Sequence, residues 1–188
     1  MKLTKLLVLF IGVFFISVLS LVACTKREPL ETVSYVDIEK FMGDWYVIAN
    51  IPTMFEKNAY NPIESYQLNA DGTVATTFTF NEGSFDGEQE VMTAKGFIKN
   101  KQTNAEWGMQ FFWPIKADYR IVYVDNDYKY TVIGRNKRDY LWIMARQPKI
   151  SDQIFVELET MPSGMGYDTN LIQRAPHQPM DQSTEKPI

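Results

Sequence analysis

The side chains best suited to covalent or metal chemistry are scarce in this chain. One cysteine, Cys24, and one histidine, His177, occur among 188 residues. A Ser-His-Asp or Cys-His mechanism needs a histidine held beside its nucleophile. The only histidine lies in a proline-containing C-terminal stretch, and no Gly-x-Ser-x-Gly turn is present. A zinc or haem site built on His or Cys meets the same shortage. A mechanism resting on carboxylates alone needs neither residue. The residue types thus predict no enzyme, no cofactor and no metal.

Cys24 has a different chemistry open to it. Its thiol is the one side chain here able to form a stable thioether to a lipid. Lys2 and Lys5 precede an uncharged apolar run from Leu6, which closes on Leu21-Val22-Ala23-Cys24. A basic head, an apolar centre and small residues before the cut make a secretory signal. A transmembrane helix is the competing reading. It needs about 20 apolar residues, and the run from Leu6 to Ala23 falls slightly short. The Leu-Val-Ala-Cys ending resembles the lipobox of bacterial lipoproteins, in which the cysteine receives a diacylglycerol and becomes the new N-terminus. Two or more acyl chains hold a protein firmly on a membrane, while one holds it marginally. Thr25 follows the cysteine where inner-membrane lipoproteins often carry Asp. The resemblance therefore implies a lipid anchor in the outer membrane, facing the periplasm rather than the surface. Residues 1–23 read as signal peptide and 24–34 as lipidated cysteine and polar tether.

Removal of residues 1–23 leaves 165 residues with 17 basic and 23 acidic side chains, a net charge of −6. One domain of that size buries a sufficient core unaided. An acidic surface suits nucleic acid poorly, because phosphate contacts need basic groups. With no cysteine after Cys24, stability in an oxidising compartment must come from packing alone. Aromatic residues are plentiful, with 12 Phe, 10 Tyr and 4 Trp in the chain. They bury large areas and line apolar cavities. Oligomeric state, monomer or dimer, is left open.

The elements follow from periodicity. Residues 37–42 read as a single helical turn with Asp37 as its cap, closed by Gly43. From Trp45 the pattern changes to period two, the strand signal. Eight candidate strands cover residues 45–50, 64–69, 73–81, 90–99, 105–113, 117–125, 130–136 and 140–147, separated by Asn-, Asp- and Gly-rich turns. Such a series suggests a sandwich or an up-and-down barrel. Ser151 caps a helix with Ile154, Phe155 and Leu158 on one face. Residues 167–172 form a last short strand or extended segment, and 175–188 a flexible tail.

Three short motifs then stand in order. Gly43-Asp44-Trp45-Tyr46 opens the first strand after the helical turn and resembles the Gly-x-Trp signature of lipocalins. Asp125-Asn126-Asp127-Tyr128 resembles the family's Thr-Asp-Tyr motif, with Asn126 in place of the threonine, and Arg146 matches the third motif. The resemblance spans residues 36–174, and runs around 42–49 and 138–143 look most like the bacterial outer-membrane lipocalins. It implies an all-β fold: an eight-stranded up-and-down antiparallel barrel over residues 35–174, with a C-terminal α-helix packed outside. It also implies that Gly43, Trp45 and Arg146 plug the closed end, with the guanidinium laid across the indole as a cation–π pair.

Alternate residues of a barrel strand point inward. If Trp45 does, so do Val47 and Ala49, and the same counting places Tyr66, Leu68, Thr76, Phe78, Phe80, Trp107, Met109, Phe111, Tyr119, Ile121, Tyr123, Tyr140, Trp142 and Met144 inside. A single bulge flips part of this register. The candidate ligand contacts are Val47, Tyr66, Phe78, Met109, Phe111, Trp113, Tyr119, Tyr123 and Trp142. Phe112 and Trp113 form a lip or a buried strand end, and Met54 and Phe55 a lid, a membrane contact or a loop anchor. Arg120 and Lys116 are the candidate cations for a head group at the mouth. The resemblance implies a membrane-anchored binding protein for a fatty acid, lysophospholipid or similar lipophilic ligand. The alternative is a structural or interaction lipoprotein whose barrel its own side chains fill.

Overall fold

Alternating apolar and polar residues from Gly43 onward form one continuous antiparallel sheet that closes on itself. The computed structural model describes residues 27–178. Cys24, the signal segment and the last ten residues lie outside that range. A short helix α1 (Ile38–Phe41), capped by Asp37, leads into β1 (Gly43–Ile51). There follow β2 (Ala59–Leu68), β3 (Val74–Glu82), β4 (Gln89–Ile98), β5 (Glu106–Phe112), β6 (Ile115–Val124), β7 (Tyr130–Gly134) and β8 (Leu141–Ala145). Each strand pairs with the next, and β1 pairs with both β2 and β8, which shuts the barrel. Helix α2 (Asp152–Thr160) is capped by Ser151 and packs outside through Phe155 and Leu158. The expected eight-stranded barrel with an external C-terminal helix is what forms.

The apolar residues divide into two layers. Trp45, Val47, Tyr66, Phe78, Trp107, Met109, Tyr119, Ile121, Ile133 and Met144 belong to the inner one, with Phe41 and Val36 at its base. Ile48, Ile51, Val122, Val132, Leu141 and Ile143 face out under α2. Bulges decide which residue goes where. A register shift in β1 between Val47 and Ala49 sends both Ile48 and Ala49 to the outer layer. A shift in β6 between Ile121 and Tyr123 does the same to Val122 and Tyr123. The strict alternation that places Ala49 and Tyr123 inside fails at those two points, because a bulge inserts one unpaired residue. Leu68, also expected inside, is exposed where β2 ends.

The second strand begins five residues earlier than the sequence pattern suggests. Pro62 lacks a ladder donor and argues against a strand, but a bulge between Tyr60 and Ile63 accommodates it, with Asn61 at φ 50°.

Both chain ends are fastened to the barrel. Leu30 is buried; its N–H donates to Asn136 Oδ1 at 2.8 Å, and its carbonyl accepts from Arg120 at 3.1 Å. Val33 N donates to Ile121 O at 3.0 Å. Residues 27–34 are thus docked rather than a free tether. Gly134 permits this: a Cβ there would lie 2.7 Å from Leu30 Cδ2 and 2.5 Å from the Tyr167 hydroxyl. The stretch 167–172, expected as a last short strand or extended segment, holds a 3₁₀ turn, Thr169–Leu171, between extended residues, and the strand β9 is the pair Gln173–Arg174. β9 pairs with Ala49 and Asn50 on the edge of β1 that β2 leaves free. Beyond it, Ala175 N donates to Ile48 O at 2.9 Å, Asn61 N to Pro176 O at 2.8 Å, and Gln178 N to Asn61 Oδ1 at 2.8 Å. The imidazole Nε2 of His177 lies 2.8 Å from Val47 O. Residues 175–178 therefore bridge the splayed ends of β1 and β2, where the sequence suggests a flexible tail.

Candidate ligand cavity

The closed end is built first. Gly43 adopts φ +87°, a conformation other residues rarely take, and turns the chain from α1 into β1. That turn drops Trp45 into the barrel base, fully buried, where its indole N–H donates to Phe41 O at 2.9 Å. Arg146 follows β8 and lays its guanidinium 3.8 Å from the Trp45 ring. It also donates to the carbonyls of Asp44, Lys40 and Met42 at 2.7–2.8 Å. Burial lowers its pKa, with the Asp44 carboxylate opposing. The Tyr128 hydroxyl accepts from Asp37 N at 2.7 Å, so the turn between β6 and β7 is fastened to α1. All three sequence motifs meet at this end.

Above the plug lies a cavity of about 440 Å³. Its volume falls within the range of small-molecule binding pockets. Of the expected contacts, Tyr66, Phe78, Met109, Phe111, Tyr119 and Trp142 line it. Three do not. Val47 is fully buried in the inner layer but does not reach the cavity. Tyr123 is turned outward by the β6 bulge. Trp113 stands 84% exposed at the tip of the β5–β6 hairpin. Met92, Ala94, Ala117 and Ile133 complete the apolar wall. The mouth is rimmed by Met54 and Phe55 from the first loop and by Phe111 and Phe112 from β5, all four largely exposed.

The charged groups are not where the sequence suggests. Lys116 points away from the lumen and packs 3.3 Å from the Phe97 ring centre. Arg120 pairs with Glu106 at 3.2 Å and Asp118 at 3.3 Å on the outer face. Neither lines the cavity. The charged residues that do are Glu56, Glu64, Asp118 and Arg135. Asp118 is engaged by Arg120 and by Asn136 N at 2.8 Å. Arg135 stacks 4.9 Å over Tyr140 and lies 3.6 Å from Asp139. Glu56 accepts from the Trp142 indole at 2.8 Å and from Thr53 N at 2.7 Å, which holds the first loop across the mouth.

Glu64 is the outlier. It sits on β2 opposite Trp45 and Phe78, surrounded by protein and facing the cavity. Its pKa is pushed up to about 8, first by desolvation, then by the Glu56 carboxylate; the hydrogen bond from Tyr66 only partly offsets this. The Tyr66 hydroxyl lies 2.7 Å from that of Tyr119. A phenol has one proton, so a Tyr66 hydroxyl that donates to Glu64 accepts from Tyr119. Burial raises the pKa of both phenols well above the ordinary value. Thr76, buried on the neighbouring strand and lining the same cavity, has a hydroxyl with no hydrogen-bond partner. No motif in the sequence marks this polar floor. The signal was present: Glu64 shares the period-two face of Tyr66, so the counting that puts Tyr66 inside puts an acid there too.

Known proteins match this architecture. The Lipocalin-like domain family matches residues 36–177. Temperature-induced lipocalin-1 of Arabidopsis thaliana is 29% identical over 161 residues, covering 81% of this chain and 85% of the relative. Outer membrane lipoprotein Blc of Escherichia coli K12 is 29% identical over 154 residues, covering 79% and 85%. Among solved structures, insecticyanin of the tobacco hornworm Manduca sexta superposes with a TM-score of 0.63 at 13% identity, covering 83% of this chain and 87% of its own. Lobster apocrustacyanin A1 gives 0.60 at 13% identity, covering 76% and 81%. At such identities the structures speak for the fold alone. The domain match, the three motifs gathered at the plug and the closed eight-stranded barrel agree, and the chain belongs to the lipocalin family.

Proposed function

We propose that this lipocalin is a membrane-anchored carrier that binds a fatty acid, lysophospholipid or similar lipophilic ligand for storage or transport in the cell envelope. The observation that carries the reading is the open cavity of about 440 Å³ walled by Phe, Tyr, Trp and Met. Aromatic and thioether side chains adapt to an acyl chain without demanding one shape. The lining holds neither histidine, cysteine nor serine, which favours binding over catalysis. A barrel filled by its own side chains, the structural-lipoprotein reading, would leave no such space.

The anchor belongs to the same proposal. A diacylglycerol on Cys24 would hold the protein on the outer membrane, on its periplasmic face, and the relatives named outer membrane lipoprotein support that location. Arg27 donates to Lys137 O at 3.0 Å, in the β7–β8 loop beside the mouth. A lipid three residues upstream would thus hold the open end near the bilayer, with Phe112 and Trp113 toward it.

Native mass spectrometry of the purified protein, with solvent extraction of what is bound, tests the function. One lipophilic molecule per barrel is the expected result. A barrel that purifies empty and takes up no added acyl chain would reject it.

A further inference from the structure

We propose that the floor of the lumen is a head-group subsite, formed by Glu64, Tyr66, Tyr119 and Thr76, that takes the cationic nitrogen of an amphiphile whose tail points to the mouth. The inference rests on the carrier reading above and specifies the ligand's head and direction.

Polarity along the cavity runs opposite to that of a head-at-the-mouth site. The rim exposes Met54, Phe55, Phe111 and Phe112, and the Glu56 carboxylate at the mouth is taken up by the Trp142 indole and Thr53 N. The floor is polar: Tyr66 is paired with Gly43 at the plug end, and Glu64 with Trp45. An amphiphile matches this gradient with its head down.

The charge of the head follows from what the floor lacks. Glu64 feels a second carboxylate, Glu56, and no lysine or arginine offsets it. Arg135, the one cationic side chain among the lining residues, is paired through Nη1 with Asp139 and stacked on Tyr140, and its buried Nε has no hydrogen-bond partner. Once Glu64 is ionised, above about pH 8, a carboxylate or phosphate at the floor would stand against two carboxylates in a desolvated space. An ammonium group would instead find the Glu64 carboxylate beside the Tyr66 and Tyr119 side chains that line the floor. The Thr76 hydroxyl is buried, lines the cavity and has no partner. Buried hydroxyls seldom go unsatisfied, so it is free to accept from a donor such as N–H.

Binding of a fixed cation needs Glu64 ionised. The groups that face it are Glu56 from the first loop, Tyr66 on its own strand and Tyr119 from β6. The phenols stay protonated at any working pH, so Glu64 sets the dependence.

The test is calorimetric titration of the purified protein with dodecylamine, dodecanol and dodecanoate below their aggregation limits. Dodecylamine is expected to bind roughly tenfold or more tighter than the other two, the ratio of a charge-assisted hydrogen bond. Dodecyltrimethylammonium should bind more tightly as pH rises from 6 to 8, up to about tenfold per unit. In Glu64→Gln the amine preference and this pH dependence should both vanish, while dodecanol binding persists. Equal affinity for amine and carboxylate in the natural protein overturns the subsite and leaves the carrier standing, whatever the variant's folding. Failure of all three chains to bind overturns both.

Discussion

Arg146 does more for this fold than its charge suggests. Its guanidinium meets the Trp45 ring and the carbonyls of Lys40, Met42 and Asp44 at once. A lysine cannot reproduce that planar set of donors. Arg146→Lys is therefore expected to lower stability by about 2 kcal/mol, the scale of losing a cation–π contact and part of the carbonyl cluster. Trp45→Ala should cost about 3–5 kcal/mol, as buried Trp truncations do. Urea denaturation followed by circular dichroism measures both. Glu64 makes a pH prediction of opposite kind. Its folded pKa of about 8 exceeds the ordinary 4.5, so the folded state holds a proton that the unfolded chain releases. That stabilisation is present below 4.5 and is lost as pH rises through about 8. Melting temperatures of the natural protein should fall relative to Glu64→Gln between pH 6 and 9; parallel curves would contradict it. Residues of the plug were legible in the sequence because each carries a distinctive type at a fixed place. Glu64 was legible only by parity, and Glu56 not at all, since a loop has no period to count.

At the scale of elements, strand number and order follow from alternation and turn residues, while the register within a strand does not. Tyr123 shows why. It belongs by counting to the lumen, but the bulge after Ile121 sends it under α2. Nothing in the run Ile121-Val122-Tyr123-Val124 distinguishes a bulged from a regular strand, because all four are β-formers. Pro62 misleads in the other direction, hiding the first half of β2. The order of the C-terminal segment is hidden in the sequence because few of its residues are apolar; it is held by hydrogen bonds. Four of them, made by residues 175–178, close the seam between β1 and β2. At about 1 kcal/mol net for each, truncation after residue 174 is expected to cost about 2–4 kcal/mol in chemical denaturation. The seam is also acid-sensitive. Burial lowers the His177 pKa below the ordinary 6.5. Its contribution is thus present above that value and lost as pH falls beneath it. Protection of the Asn61, Ala175 and Gln178 amides against hydrogen exchange, relative to the intrinsic rate at each pH, should fall at pH 5 in the natural protein, and less so in His177→Asn.

The whole molecule is asymmetric along the barrel axis. One end is sealed by Trp45 and Arg146; the other carries exposed Met54, Phe55, Phe112, Trp113 and Ile115 beside the docked N-terminal segment. Exposed apolar groups gathered at one end cost solubility unless something covers them. Lipid at Cys24 would bring that end to a bilayer. Cys24→Ser is expected to move the protein from the carbonate-washed membrane fraction to the soluble one; retention in the membrane would reject the anchor. The central claim, that the lumen is a binding space, has a more direct test. Ala94 lines the cavity on β4, and Ala94→Phe would fill part of it. The measurement is the stoichiometry of a fluorescent acyl probe titrated into both proteins, with melting curves alongside. One probe per natural barrel, and little or none in a folded Ala94→Phe, is the expected result. Undiminished binding in the filled variant would place the ligand elsewhere and contradict the account.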